Sequence, residues 1–168
     1  WLPSPSRTNR ARLALRADMD ALPVTERVDL PFASRVVAEY RGQQTGVMHA
    51  CGHDVHTSSL LGVARILNEL KDNFEGTVKF IFQPGEEKLP GGASIMIKEG
   101  VFKPEKPHWI LGQHVFPQLE AGHVGFRSGV YMASADEVYI SIKGKGGHAA
   151  TPHLCIDPIV ISARLITA

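Results

Sequence analysis

Short apolar runs with strand character alternate along the chain with stretches of helical period, and this ordering restricts the fold more than any other feature. Residues 12–17 (Arg-Leu-Ala-Leu-Arg-Ala) form a compact strand candidate that ends at Asp18-Met19-Asp20. Residues 21–47 carry Pro23, Pro31 and Gly42 and read as loop or hairpin. From Val55 to Leu70 the period changes: Leu60, Leu61, Ala64, Leu67 and Leu70 recur at helical spacing, with Asp54 as the expected N-cap. Gly76 precedes a β-branched and aromatic strand over residues 77–82. A second helix is expected over 92–99, stopped by Gly100, and a third strand over 109–114, which reads as buried. Residues 122–126 are a candidate fourth strand. Strands separated by helices predict an α/β fold with a mixed, largely parallel sheet flanked by helices. In such sheets ligands gather beyond the carboxyl ends of the strands.

Chemistry-bearing residues fall at those ends. Asp18 and Asp20 close the first strand, Glu86 and Glu87 follow the 77–82 strand across Pro84-Gly85, and His114 ends the third. Between the first strand and the first helix stands Met48-His49-Ala50-Cys51-Gly52-His53-Asp54-Val55-His56. Cys51 and His53, two apart in extended backbone, point the same way and can grip one metal or two neighbouring ones. Thiolate and imidazole suit zinc or another borderline transition ion. A buried free cysteine beside a capping histidine is the plainer alternative. His49 and His56 compete as ligands, with His56 better read as a supporting residue in the first helical turn. In extended backbone Glu86 and Glu87 point to opposite sides, so one can bind a metal while the other takes a proton from an activated water. His114 is either a satisfied core histidine or the last member of a Cys-His-Glu ligand set. Asp18 or Asp20 could hydrogen-bond a ligand histidine and fix its tautomer.

Character shifts near residues 127–130. Residues 138–142 alternate as a strand, Gly144-Lys145-Gly146-Gly147-His148 follows, and a helix is expected from about Asp157. The division expected is 1–130 and 131–168. The glycine run lacks the strand-to-helix phosphate-loop pattern, and a histidine after it suits a donor to a carbonyl oxygen.

Bulk composition narrows the partners. The 168 residues are 43% apolar and 21% charged, as in a soluble globular protein, and the net charge of +1 argues against nucleic acid or an anionic membrane as partner. No apolar stretch is long enough to span a bilayer, and the opening residues do not form a signal peptide. Of the two cysteines, Cys51 sits among histidines. Thiol ligation in a reducing compartment, the cytoplasm, is therefore a better reading than a disulfide with Cys155. The missing initial Met and the helix opening at the far end suggest a fragment.

Four segments together resemble the zinc-peptidase-like amidohydrolases, the group of hippurate hydrolase, N-acyl-amino-acid deacylases and indole-acetyl-amino-acid hydrolases. They are Leu15-Arg16-Ala17-Asp18-Met19-Asp20-Ala21-Leu22-Pro23, Met48-His49-Ala50-Cys51-Gly52-His53-Asp54, Phe82-Gln83-Pro84-Gly85-Glu86-Glu87 and Gly146-Gly147-His148-Ala149. The resemblance implies a catalytic domain followed by the start of an α+β lid and dimerisation domain. It implies two divalent ions (Zn, Mn, Co or Ni) held by Cys51, His53, Glu87 and His114, with Asp18, Asp20 and Asp54 in support. Glu86 would be the general acid/base, and His148 would polarise the scissile carbonyl, reaching the site of a partner subunit in a homodimer. The implied substrate is an N-acyl amino acid or peptide. A dipeptidase or aminopeptidase of the same fold, and a non-catalytic metal- or ligand-binding relative, are the alternatives. Relatives carry a further histidine ligand in a C-terminal portion that this sequence does not include.

Overall fold

The computed structural model describes residues 10–168, which divide into two compact units, one ending at Gly122 and the other running from His123 to Ala168. The first is built on a three-stranded parallel sheet in the order β4-β1-β5. Strand β1 (Arg12–Asp18) is central, pairing in parallel with β4 (Thr77–Gln83) along its whole length and with β5 (Trp109–Gly112) over Leu13 to Arg16. Ala14 and Ala17 of β1 and Ile81 of β4 are buried. Small residues in the central strand let the covering helix approach.

That helix, α1 (His53–Glu69), connects the sheet strands and buries His53, His56 and Leu60. Ala64 and Leu67 continue the same stripe, half-buried, whereas the expected core residues Leu61 and Leu70 stand out into solvent. The buried face therefore begins with two histidines rather than with leucines. The expected capping role of Asp54 is not observed. Gly52 is the N-cap, in the left-handed conformation at φ 79°, and Asp54 lies in the first turn, where its charge still favours the helix dipole. A short helix α2 (Gly92–Lys98) follows β4.

Residues 21–47 contain the expected hairpin: β2 (Val37–Tyr40) pairs antiparallel with β3 (Gln43–Gly46). Its two-residue loop, Arg41-Gly42, has positive φ at both positions, the requirement of the mirror-image turns that match strand twist. Strand β5 stops at Gly112, two residues short of His114. Trp109, Ile110 and Leu111 are exposed rather than buried, because β5 is the edge of the described sheet.

In the second unit, α3 (Pro158–Thr167) begins where expected, with the Asp157 carboxylate accepting from the N–H groups of Ile159 and Val160 at 2.8 and 3.4 Å. Two expected strands do not form. Residues 122–126 and 138–142 make no ladder among the described residues; only the bridge Lys145–Ile156 is present in this unit. Alternating polarity prepares one face of a strand, but a ladder also needs a partner edge in register. Among the described residues no helix is long and apolar enough to cross a membrane.

Candidate metal centre

The ends of β1 and β4, the N-terminus of α1 and the segment after β5 meet at one place in the first unit, and each brings a ligating or carboxylate side chain. At the centre is His53, 1% exposed. Its Nδ1 lies 3.0 Å from the Asp20 backbone oxygen and 3.1 Å from Asp20 Oδ1, two acceptors that place the proton on Nδ1. Nε2 is then left with a lone pair. It is buried and has no hydrogen-bond partner. A buried polar atom without a partner is costly, so an unpaired imidazole nitrogen facing carboxylates calls for a cation.

Three carboxylate oxygens face that nitrogen: Asp18 Oδ2 at 3.7 Å, Glu87 Oε1 at 3.7 Å and Glu86 Oε2 at 3.9 Å. The two glutamates do not point to opposite sides, as extended backbone would require. Residues 86–88 form a bend after Gly85 (φ 61°), which turns both side chains toward His53. Gly92 holds the bend in place. Its N–H donates to Gly85 O at 2.7 Å, and any Cβ there would overlap Pro84 O. The Glu87 N–H donates to Asp20 Oδ2 at 2.9 Å, so Asp20 ties His53 and Glu87 together through its two oxygens. The Glu87 side chain is 25% exposed and that of Glu86 44%, which leaves Glu86 the more open to an incoming molecule.

Cys51 Sγ lies 3.4 Å from His114 Nε2. His114 Nδ1 donates to Val115 O at 2.8 Å, so this histidine too presents Nε2. Cys51 is in a turn and His53 opens α1. Their shared direction therefore comes from the helix start, not from the extended segment expected. Burial pushes the Cys51 thiol above its ordinary range, and the Glu87, Glu86 and Asp18 carboxylates push it further. Cys51, His53 and His114 have donor atoms within 4.8 Å of one another, as do His53, Glu86 and Glu87. Sulfur, nitrogen and oxygen donors with directed lone pairs fit divalent transition ions.

A third group at this spacing, Asp18, His53 and His56, has other employment. His56 Nδ1 donates to Asp18 Oδ1 at 2.5 Å, and His56 Nε2 accepts the Val115 N–H at 2.9 Å. Asp18 Oδ2 accepts from Arg16 Nη1 at 2.7 Å. Burial works against the Asp18 charge, yet the His56 hydrogen bond, then Arg16, His53 and His56, hold its carboxyl below the ordinary value. Asp20 is also lowered: burial opposes its charge, but the N–H groups of Glu87, Glu86 and Asp20 itself and then His53 outweigh it. Both His56 ring nitrogens are thus engaged by protein groups. His49, the other competitor, is exposed, with Nδ1 3.1 Å from Asp20 O. Asp54 is exposed and makes no side-chain hydrogen bond to the cluster. Sequence reasoning did not single out Arg16. Its place two residues before Asp18, on the same face of β1, was the available signal.

His148 belongs to the second unit. It is exposed, and its Nδ1 accepts the Ala150 N–H at 3.1 Å, which leaves Nε2–H free to donate.

The profile of peptidase family M20/M25/M40 matches residues 14–166. The chain belongs to this family. Among its M20 relatives, an N-acyl-L-amino acid amidohydrolase of Geobacillus stearothermophilus is 45% identical over 155 residues, 92% of this chain and 39% of the relative. An N-acetylcysteine deacetylase of Bacillus subtilis is 46% identical over 155 residues, 92% of this chain and 38% of the relative. A dinuclear metal-binding M20 peptidase of Bacillus subtilis, known by crystal structure, superposes with a TM-score of 0.63 at 43% identity. That match covers 73% of this chain and 31% of the other. The chain thus spans well under half the length of these M20 relatives.

Proposed function

We propose that the M20 protein containing this chain hydrolyses the amide bond of N-acyl amino acids, with two divalent ions held by Cys51, His53, Glu87 and His114. The observation that carries the reading is His53 Nε2, buried without a partner while Nδ1 is committed to Asp20, and facing the paired glutamates. When bound, such ions lower the pKa of water and polarise a carbonyl oxygen. Glu86, the more exposed carboxylate, takes the proton from the attacking water and returns it to the departing amine nitrogen. Asp20 fixes the His53 tautomer and the Glu87 backbone. His148 offers its Nε2–H to the carbonyl oxygen as negative charge develops there.

The N-acyl amino acid assignment draws on the named activities of the relatives. We take residues 1–130 as catalytic and 131–168 as the start of a lid through which two copies pair, each supplying His148 to the other's site.

Glu86→Gln in the full-length protein tests the proton role. It should keep its metal content and lose hydrolysis of N-acetyl amino acids by about 100-fold or more, the usual worth of a positioned acid/base. Retained turnover removes Glu86 from the mechanism. Turnover of free dipeptides in preference to N-acetyl amino acids would instead favour a dipeptidase.

A further inference from the structure

Neither His56 nor the Val115 peptide has a part in the chemistry proposed above, yet both lie at the heart of the buried polar network. His56 is 1% exposed, and both of its ring nitrogens are engaged. Its Nδ1–H donates to Asp18 Oδ1, and Asp18 is held from its other side by Arg16 Nη1 at 2.7 Å. Arg16 Nε donates in turn to Gln83 Oε1 at 2.9 Å, and Thr57 Oγ1 donates to the Asp18 backbone oxygen at 3.0 Å. The ends of β1, β4 and α1 are thereby locked to one another. The fourth member of the site, the segment after β5, has no such sheet support. Strand β5 is a four-residue edge strand and has ended before His114.

That segment is tied to α1 at Val115. The Val115 N–H donates to His56 Nε2 at 2.9 Å, and Val115 O accepts from His114 Nδ1 at 2.8 Å. The path from the sheet to the ligand histidine therefore runs Arg16, Asp18, His56, Val115, His114, and every link is a directed hydrogen bond. The His56 and His114 rings meet edge-on, with centroids 4.6 Å apart at 70°, which limits rotation of His114. Only one neutral form of His56 serves both of its bonds. A proton on Nε2 would meet the Val115 N–H donor head-on and leave Asp18 Oδ1 without a donor.

We propose that His56 is a positioning residue for His114: a buried Asp18–His56 pair, in the Nδ1–H tautomer, clamps the Val115 peptide so that His114 Nε2 is held beside Cys51. The inference rests on the metal-site reading above and adds a residue that this reading does not use.

Two substitutions divide the two ends of the ring. His56→Asn places an amide donor where Nδ1 was and keeps Asp18, but cannot reach Val115. His56→Gln extends an amide oxygen toward the Val115 N–H. In the full-length protein, cobalt binding would be titrated against a competing chelator, with the thiolate-to-cobalt absorption band reporting Cys51. His56→Asn should weaken cobalt binding by about 10- to 100-fold, the usual effect of losing a partner that orients a ligand, and His56→Gln should restore most of it. His114→Ala combined with His56→Asn should lose no more than His114→Ala alone, since both changes act on one ligand. Equal losses in the Asn and Gln variants, no loss in either, or losses that add to His114→Ala would overturn the proposal. Nitrogen-detected NMR of the metal-free wild type needs no variant to fold: it should show His56 as the Nδ1–H tautomer, and an Nε2–H signal would overturn the clamp. Wild-type protein that binds no cobalt would refute the metal-site reading, and with it any role for His56 in serving a ligand. Cobalt bound by the wild type with His56 variants unaffected would refute the clamp alone.

Discussion

Gly52→Ala is the substitution whose cost is most directly readable from the structure. Gly52 caps α1 between Cys51 and His53 at φ 79°, ψ 18°, a left-handed conformation that costs an L-residue about 1–2 kcal/mol. A Cβ there would also overlap Val115 Cγ2. Overpacking of that kind costs about 1–3 kcal/mol as the neighbours shift. The two effects are independent in origin, so the expected loss is about 2–5 kcal/mol, a large share of the roughly 5–15 kcal/mol available to a domain. Urea denaturation of the metal-free full-length protein measures it; with a slope of about 1–3 kcal/mol per molar, the midpoint should fall by roughly 1 M or more. Val115→Ala separates the causes. It removes the overlapping methyl groups and leaves the backbone strain, so the double variant should be more stable than the sum of the single changes by about 1–3 kcal/mol. A Gly52→Ala protein within about 0.5 kcal/mol of wild type, or a double variant that is merely additive, would refute the close approach of the α1 cap to the segment that carries His114.

Asp20→Ala removes the acceptors of both the His53 Nδ1–H side-chain bond and the Glu87 N–H, and should weaken metal binding by about 10- to 100-fold in a chelator competition. Cys51 is held in its thiol form by burial and neighbouring carboxylates, so metal binding near neutral pH should release a proton and tighten as pH rises. Calorimetry in buffers of different ionisation enthalpy reads that release. Asp18 and Asp20 both fold with carboxyls below the ordinary value of 3.8, so the stability they contribute is complete above that pH and disappears as pH falls through their folded values. Acid unfolding of Asp18→Asn should accordingly show a shallower loss of stability below pH 3.8 than wild type.

Much of this architecture is legible in the sequence because local signals and tertiary demands agree. The β1, α1, β4, α2 order follows from period and punctuation, and Arg41-Gly42 carries the turn chemistry of its hairpin. What local pattern could not supply is pairing. Residues 138–142 alternate as a strand should, yet they form no ladder among the described residues. Trp109, Ile110 and Leu111 look like core and lie on a sheet edge. At the site, residue types singled out Cys51, His53, Glu86, Glu87 and His114 as candidates, but not how they converge. The bend at Gly85 and the helix start at Gly52 replace the extended geometry that alternation assumes. The roles of His56 and Arg16 depend on a chain of contacts across four elements, and no spacing in one segment encodes it.

The central claim is that Cys51, His53, Glu87 and His114 form a site for divalent ions. Elemental analysis of the full-length protein, loaded with zinc, manganese, cobalt or nickel and then freed of excess metal, tests it most directly. Two ions per chain are expected in the wild type and in Glu86→Gln, with a clear loss in Glu87→Ala and His114→Ala. A wild type that retains none of the four metals, or Glu87 and His114 variants that retain as much as it does, would contradict the account.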